Sequence, residues 1–308
     1  MERRHLTSIR DLADEELHQL VERGAWFATA AARGHQPLAG HVVGSYFRAT
    51  STRTRTAFAS AALRLGAGHI AYGPGDLQLN TGETVGDTAL ILARMLDALV
   101  VRTAGDPAEI RSFASQGTMS VINAMSSDEH PTQALADLTT LLRRFGRITG
   151  LRILYVGEGN NTAAALALAL SRYQNVDFCL CTPPGYGLEP DIAGQSQRQA
   201  KEHDSSLTET HDLATAIRDA DVVYTTRWQT TGTAKHDPDW LRVFRPFQVD
   251  EALMSAHPRA VFMHDLPAHR GFEVTGAVLD GPSSIAFDQA ENKLHSAKAV
   301  LEWCLAVS

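Results

Sequence analysis

Short apolar runs alternate with amphipathic segments along most of the 308 residues. In the first half, four apolar runs predict strands: HVVGSYF, HIAYG, ALVVRT and MSVINAM. The segments between and around them have helical spacing, and the predicted helices span 11–33, 54–65, 84–96, 107–116 and 131–145. This alternation is typical of a mostly parallel sheet with helices on both faces.

The same pattern starts again after residues 146–150. A strand at 153–156, a glycine-containing turn and an alanine-rich helix at 162–173 begin a second series, which continues with strands in VDFCLCT, DVVYTT and AVFMHDLP. We therefore predict an α/β protein with two doubly wound domains, each with a mostly parallel sheet flanked by helices. The predicted domains are residues 1–146, residues 147–288 and a C-terminal helix, 289–308, that packs back on the first domain.

Composition narrows the function classes. A hydrophobic content of 44% and a charged content of 20% are typical of a globular protein, and the net charge of −7 argues against a general nucleic-acid binder. The N-terminal residues lack the apolar core of a secretory signal, and no apolar run is long enough for a membrane span. Cys179 and Cys181 are predicted to be buried thiols, which favours a reducing cytoplasm.

A dinucleotide site is one reading of the turn in YVGEGNN. The two glycines match only part of the usual fingerprint, because Thr162 stands where a third glycine or an alanine belongs. The next strand ends in Thr182, where a ribose-binding acid is expected. These departures disfavour a nicotinamide-dependent oxidoreductase.

The segment FRATSTRTRTAFASAALRLG predicts an anion site at the start of a helix. A helix N-terminus leaves backbone N–H groups unpaired, and the hydroxyls and guanidinium groups of this segment add further donors. The donors are Ser51, Thr52, Arg53, Thr54 and Arg55. The alternative is that the hydroxyls only cap the helix while the arginines face water.

This segment resembles the carbamoyl phosphate signature of the aspartate and ornithine carbamoyltransferases. The resemblance continues in order through YGPGDLQLNTGETVGDTA, VVRT, HPTQALADLTTLL, YVGEGNN, DVVYTTRWQ, FMHDLPAHRGFEV and AENKLHSAKAV. It implies an enzyme that moves a carbamoyl group from carbamoyl phosphate to an amine and releases phosphate. It also implies a homotrimer with active sites shared between subunits.

The resemblance assigns roles to matching positions. The implied carbamoyl phosphate-binding residues are Ser51, Thr52, Arg53, Thr54, Gln78, Arg102, His130, Gln133, Leu266 and Lys293. Arg102 contacts both the phosphate and the carbamoyl oxygen in this assignment, and the backbone carbonyl of Leu266 receives the carbamoyl amine. Gln78 matches a loop residue that enters the site of a neighbouring subunit.

The chemistry explains these residue types. Negative charge grows on the carbonyl oxygen and on the departing phosphate, so fixed donors are the useful catalysts and no metal or redox cofactor is required. We predict that Arg102, His130 and Thr54 are catalytic, with His130 polarising the carbonyl. The departing phosphate can itself accept the amine proton. The alternative for His130 is a cap on the helix that begins at Pro131.

The predicted acceptor-binding residues depart from both branches of the family. Arg227 replaces the acid of the ornithine branch, and Thr230-Thr231-Gly232 replaces its Ser-Met-Gly. Arg227 and Gln229 match the aspartate branch, which favours an acceptor that carries a carboxylate. Asn161, by contrast, follows the ornithine branch.

Asp265 stands where the ornithine branch has cysteine, and Lys293 stands where it has arginine. A carboxylate at position 265 could hold the acceptor's ammonium or accept its proton, or it could simply pair with Lys293. We predict Asn161, Arg227, Gln229 and Asp265 as acceptor-binding residues.

The resulting hypothesis is a carbamoyltransferase for a small amino acid that is neither ornithine nor aspartate, with specialised biosynthesis as one setting. The alternatives are a standard aspartate or ornithine carbamoyltransferase, and a non-catalytic relative that binds an anion.

Overall fold

The computed structural model describes residues 3–216, 218–230, 234–235 and 237–305. The chain forms two compact units, Met1–Leu142 with Glu291–Ser308, and Arg143–Ala290. Each unit contains one parallel sheet flanked by helices, which confirms the predicted α/β class. The domain boundaries after residues 146 and 288 stay predictions.

The sheet of the first unit has four parallel strands. They are β1 Val42–Phe47, β2 Gly68–Tyr72, β3 Ala98–Arg102 and β4 Ser120–Asn123. Their order is β2-β1-β3-β4, so the chain proceeds outward in opposite directions from the β1–β3 pair. Residues next to such a switch point, at the carboxyl ends of the strands, are where open α/β sheets bind ligands.

The N-terminal part of this unit contains five α-helices among the described residues. They are α1 Asp14–Phe27, α2 Arg53–Arg64, α3 Val85–Leu92, α4 Pro107–Ala114 and α5 Pro131–Phe145. The prediction of a first helix to residue 33 was wrong, because α1 ends at Phe27. Thr29 is extended and its hydroxyl donates to the Trp26 carbonyl at 2.7 Å, a local bond that competes with helix continuation.

The sheet of the second unit has five parallel strands. They are β5 Arg152–Val156, β6 Asp177–Cys181, β7 Ser206–Thr210, β8 Val222–Thr225 and β9 Val261–His264. Their order is β7-β6-β5-β8-β9, which places the switch point between β5 and β8. The sequence analysis missed β7, a polar edge strand in which Leu207 is the buried residue.

The remaining helices are α6 Asn161–Leu170, α7 Pro190–Glu202, α8 Trp240–Phe244, α9 Glu251–Ala256, α10 Gly276–Leu279 and α11 Ala286–Leu305. From Glu291 onward, α11 clusters with the first unit. Residues 306–308 of the predicted C-terminal helix lie outside the described residues. No helix in the described part of the chain is both long and apolar enough to cross a membrane.

Two glycines shape the turn between β5 and α6. Gly157 has a φ of +129°, which side chains other than glycine rarely adopt. A Cβ on Gly159 would lie 2.4 Å from the carbonyl carbon of Gly187. Backbone geometry and close packing therefore account for the GEG sequence without a nucleotide.

The three cysteines, all among the described residues, are free and buried, as predicted for Cys179 and Cys181.

Candidate active site

The phosphate signature and Arg102 lie at the switch point of the first sheet. The signature directly follows β1, and Arg102 is the last residue of β3. The ends of these two strands are neighbours, since Phe47 pairs with Arg102 in the parallel register. Two segments that are distant in sequence therefore supply donors at one edge of the sheet.

Among the described residues, the N-terminus of α2 has no side-chain cap. Thr52 is its N-cap residue, yet its hydroxyl accepts no hydrogen bond from a backbone N–H of the described first turn. The structure thus disfavours the alternative in which this hydroxyl serves as a helix cap. Thr54 is buried in the first turn and accepts a hydrogen bond from Nη1 of the buried Arg102 at 3.4 Å.

The other signature side chains differ in exposure. Ser51 and Arg53 are half-buried, whereas Thr52 is exposed. The guanidinium of Arg55 stacks on the Phe47 ring, with Cζ 5.2 Å from the ring centroid. This cation–π attraction holds Arg55 near the end of β1.

His130 is a buried, neutral imidazole. It precedes α5 and is 4% exposed. Burial, together with the positive charges of Lys293 and Arg102, holds the pKa of His130 well below its usual value. A neutral imidazole carries one N–H donor, which suits it to polarise a carbonyl oxygen at neutral pH.

Gln133 lies in a buried polar chain with Lys293 and Asp137. The Lys293 ammonium donates to Gln133 Oε1, and Gln133 Nε2 donates to Asp137 Oδ1 at 2.7 Å. These two bonds fix the orientation of the Gln133 amide, whose second N–H can still donate elsewhere. The sequence analysis missed Asp137, although its position four residues after Gln133 on one helix was a usable signal.

Gln78 is exposed in the short 3₁₀ helix Gln78–Thr81. Its side-chain oxygen accepts a hydrogen bond from Thr81 Oγ1 at 2.8 Å. None of its hydrogen bonds to other described residues reaches Arg102 or His130. Its predicted role at a neighbouring subunit stays a prediction.

In the second unit, Asp265 is fixed by two hydroxyl groups. Thr162 Oγ1 donates to Oδ2 at 3.0 Å, and Thr226 Oγ1 donates to Oδ1 at 2.9 Å. The side chain of Asp265 keeps 15% exposure. Asp265 follows β9, Thr226 follows β8 and Thr162 lies in the first turn of α6, so three neighbouring segments meet at the carboxyl edge of the sheet. The sequence analysis missed both threonines.

Arg227 and Gln229 follow β8 directly. Arg227 is half-buried, and its Nε atom has no hydrogen-bond partner among the described residues. A guanidinium in this state is suited to bind a carboxylate. Gln229 is also half-buried. The predicted Thr231 and Gly232 lie outside the described residues.

Two contacts join the loop after β5 to the loop after β8. Asn160, the N-cap of α6, donates from Nδ2 to Thr230 Oγ1 at 3.1 Å. Glu158 forms a half-buried ion pair with Lys235. Burial raises the pKa of Glu158 although Lys235 opposes the change. Asn161, the first residue of α6, is buried at this junction.

Within the described ranges, no group of three or more His, Cys, Asp or Glu side chains is arranged to hold a metal ion.

Comparison with known proteins extends over both units. Residues 4–143 match a family model described as the aspartate/ornithine carbamoyltransferase carbamoyl-P binding domain. Residues 149–304 match the Asp/Orn binding domain of the same family.

Individual relatives are similar over nearly their whole length. The chain is 39% identical to an ornithine carbamoyltransferase of Caldicellulosiruptor saccharolyticus, with 97% of each protein covered. It is 40% identical to an anabolic ornithine carbamoyltransferase of Pyrococcus furiosus, over 97% of this chain and 95% of that protein. The solved P. furiosus ornithine carbamoyltransferase structure superposes with a TM-score of 0.93 at 37% identity, covering 100% of this chain and 99% of that one. A solved Giardia lamblia ornithine transcarbamoylase gives a TM-score of 0.88 at 29% identity, with full coverage of both chains (100% and 100%).

Proposed function

Because this chain belongs to the aspartate/ornithine carbamoyltransferase family and is a carbamoyltransferase, we propose that it transfers the carbamoyl group of carbamoyl phosphate to the side-chain amine of ornithine. The products are citrulline and phosphate. Ornithine is favoured because relatives at about 40% identity carry the name ornithine carbamoyltransferase. This choice replaces the expectation of an unusual acceptor as the first candidate.

The proposal rests on one observation: the N-terminus of α2, which has no side-chain cap among the described residues, lies at the switch point beside Arg102, which donates to Thr54. A doubly charged phosphate needs N–H donors and positive charge in one place. We propose that Ser51, Thr52, Arg53 and Thr54 hold the phosphate. Arg102 would contact both the phosphate and the carbamoyl oxygen.

The chemical step needs stabilisation of two growing negative charges. The neutral amine attacks the carbamoyl carbon, the carbonyl oxygen becomes negative, and the bond to phosphate breaks with the electron pair leaving on phosphate. In this proposal, His130 donates its single N–H to the carbonyl oxygen and Arg102 adds a charged donor. The amine proton leaves to the departing phosphate.

The Gln133 amide and the Leu266 backbone carbonyl have a separate task, which is to orient the carbamoyl group. Lys293 contributes by holding Gln133. Orientation of this kind lowers the barrier because the reactants are already aligned when the bond forms.

A second candidate acceptor is an amino acid other than ornithine. Arg227 favours it, because it replaces the acid of the ornithine branch, and its Nε atom, which has no partner among the described residues, is available for a further carboxylate of the acceptor. Asp265 favours it too, because this carboxylate, fixed by Thr162 and Thr226, stands where the ornithine branch has cysteine and offers the acceptor a charged contact that a thiol cannot. Asn161, Gln229, Arg227 and Asp265 form the proposed acceptor-binding set.

The test is an acceptor assay with carbamoyl phosphate. Citrulline formation from ornithine supports the first candidate. Phosphate release that depends on another amine, with little citrulline formed from ornithine at millimolar concentration, favours the second. Aspartate must be included, because Arg227 and Gln229 match the aspartate branch. Absence of amine-dependent phosphate release across diamines, diamino acids and amino dicarboxylates contradicts both.

We further propose a cytoplasmic homotrimer in which Gln78 reaches the site of a neighbouring subunit. The exposed position of Gln78 supports a contact with a neighbouring subunit. The three free, buried cysteines support a reducing cytoplasm. Sedimentation equilibrium measures the mass of the assembly, which should be three times the mass of one chain. Mixing a Gln78→Ala variant with an inactive Arg102→Gln variant should restore part of the activity if sites are shared.

A further inference from the structure

The backbone of Leu266 is held by a buried histidine. The Leu266 N–H donates to Nδ1 of His264 at 2.8 Å. Leu266 has a φ of +55°, an uncommon conformation for a residue with a side chain. A conformation of this kind persists when surrounding contacts fix it, and the histidine supplies one such contact.

The histidine is held in turn by a buried carboxylate. His264 Nε2 lies 3.1 Å from Glu273 Oε1, and the exposures of the two residues are 0% and 1%. The same oxygen of Glu273 accepts the backbone N–H of His269. Glu273, His264 and the Leu266 N–H therefore form a continuous chain from the core to the turn after β9.

The chain selects one tautomer of His264. Since Nδ1 accepts the Leu266 N–H, it carries no proton, and the proton of the neutral ring lies on Nε2, where Glu273 accepts it. Asp265 Oδ1 also approaches Nδ1, at 3.4 Å. Burial lowers the pKa of His264, but Asp265 and Glu273 raise it on balance. The short contact with Leu266 nevertheless requires the unprotonated Nδ1.

We propose that Glu273 and His264 are positioning residues: Glu273 fixes the tautomer of His264, and His264 fixes the Leu266 peptide so that its carbonyl receives the carbamoyl amine. The inference rests on the proposed function, because that function gives the Leu266 carbonyl its task. A misdirected carbonyl would leave the carbamoyl group poorly aligned with the attacking amine. Substitutions that release the Leu266 peptide should therefore lower kcat.

Two substitutions of His264 separate positioning from simple core packing. His264→Asn puts an amide oxygen near the place of Nδ1, so it keeps an acceptor for Leu266 but loses the donor to Glu273. His264→Gln puts its terminal amide nitrogen near the place of Nε2, so it keeps the Glu273 contact but loses the Leu266 acceptor. The proposal predicts a higher kcat for His264→Asn than for His264→Gln.

We expect kcat of His264→Asn to stay within about tenfold of wild type. We expect kcat of His264→Gln to fall by about 10²-fold. If His264 served only to stabilise the core, kcat would be lower for His264→Asn than for His264→Gln, because His264→Asn leaves the buried Glu273 without its histidine donor. Equal kcat values, or a higher value for Gln, overturn the proposal.

A matched control is available in the same unit. His257 is also buried, and its Nδ1 accepts the backbone N–H of Ala220 at 3.2 Å, but it lies outside the proposed site. His257→Gln should lower the melting temperature while leaving kcat unchanged. A comparable fall in kcat for His257→Gln would mean that loss of any buried histidine contact lowers activity, and it would overturn the proposal.

An independent readout does not need activity. With [¹⁵N]histidine labelling, the His264 signals are assigned by their absence in His264→Gln. At about pH 8 we expect an unprotonated Nδ1 and a protonated Nε2. A protonated Nδ1 overturns the inference. If wild-type protein transfers no carbamoyl group to any amine while this tautomer is observed, the proposed function fails but the orientation of Leu266 stands.

Discussion

Replacing Glu129 by glutamine should remove a pH dependence of stability. Glu129 is 3% exposed and precedes His130 directly. Its carboxylate accepts the backbone N–H of Ile9 at 2.6 Å and the hydroxyl of Ser8. Burial raises the pKa of Glu129 from 4.5 to about 7, although these two contacts and Arg10 oppose the change.

The sign follows from proton linkage. The folded state holds the Glu129 proton more tightly than the unfolded chain does. Protonated Glu129 therefore adds most to the free energy of unfolding below pH 4.5, and this contribution is lost as the pH rises through about 7. A difference of about 2.5 in pKa corresponds to about 3 kcal/mol. The amide of the Glu129→Gln variant cannot ionise. The free energy of unfolding of this variant, relative to that of wild type, should therefore rise by roughly 2–3 kcal/mol between about pH 5 and about pH 8.

The assay is urea unfolding of both proteins at half-unit steps of pH. The difference between the two midpoints cancels the titration of every other group. Glu22→Gln, an exposed residue of α1, serves as the control and should follow wild type at every pH. Parallel curves for wild type and Glu129→Gln would refute the reasoning, because they would mean that Glu129 has the same pKa in both states.

Three further predictions concern the proposed site. Arg102→Gln should lower kcat by about 10²-fold or more, measured as phosphate release, and retention of kcat would contradict its role. Arg227→Gln should raise the KM of the acceptor and leave that of carbamoyl phosphate unchanged in steady-state kinetics; equal rises in both would show that Arg227 is not specific to the acceptor. The pKa of His130 is lowered by burial and by Lys293 and Arg102, so its ring should stay neutral from pH 8 to pH 6 in an NMR titration. A midpoint above 6.5 contradicts this prediction.

The sequence predicted the fold class because strand and helix alternate strongly. β1, β3 and β5 are apolar and fully or largely buried, so their pattern is clear. β7 is a polar edge strand with a weak alternation, and it was missed. The extent of α1 was overestimated because the pattern does not include the Thr29 hydroxyl bond that competes with the helix.

The site was predictable as a set of positions but not as a set of contacts. Asp265 was identified from the sequence, whereas Thr226 and Thr162, which fix it, lie 39 and 103 residues away. Gln133 and Lys293 were both identified, but their hydrogen bond spans 160 residues. Only folding brings such residues together. The Asp265 set meets at the carboxyl ends of neighbouring strands, whereas Gln133 and Lys293 meet between α5 and α11.

The most direct test of the central claim is a crystal structure with a stable phosphonate analogue of carbamoyl phosphate. The account predicts that the phosphonate oxygens accept hydrogen bonds from the first turn of α2 and from Arg102, with the analogue's carbonyl oxygen facing His130. A phosphonate bound elsewhere, with Arg102 and His130 making no contact to it, would contradict the account.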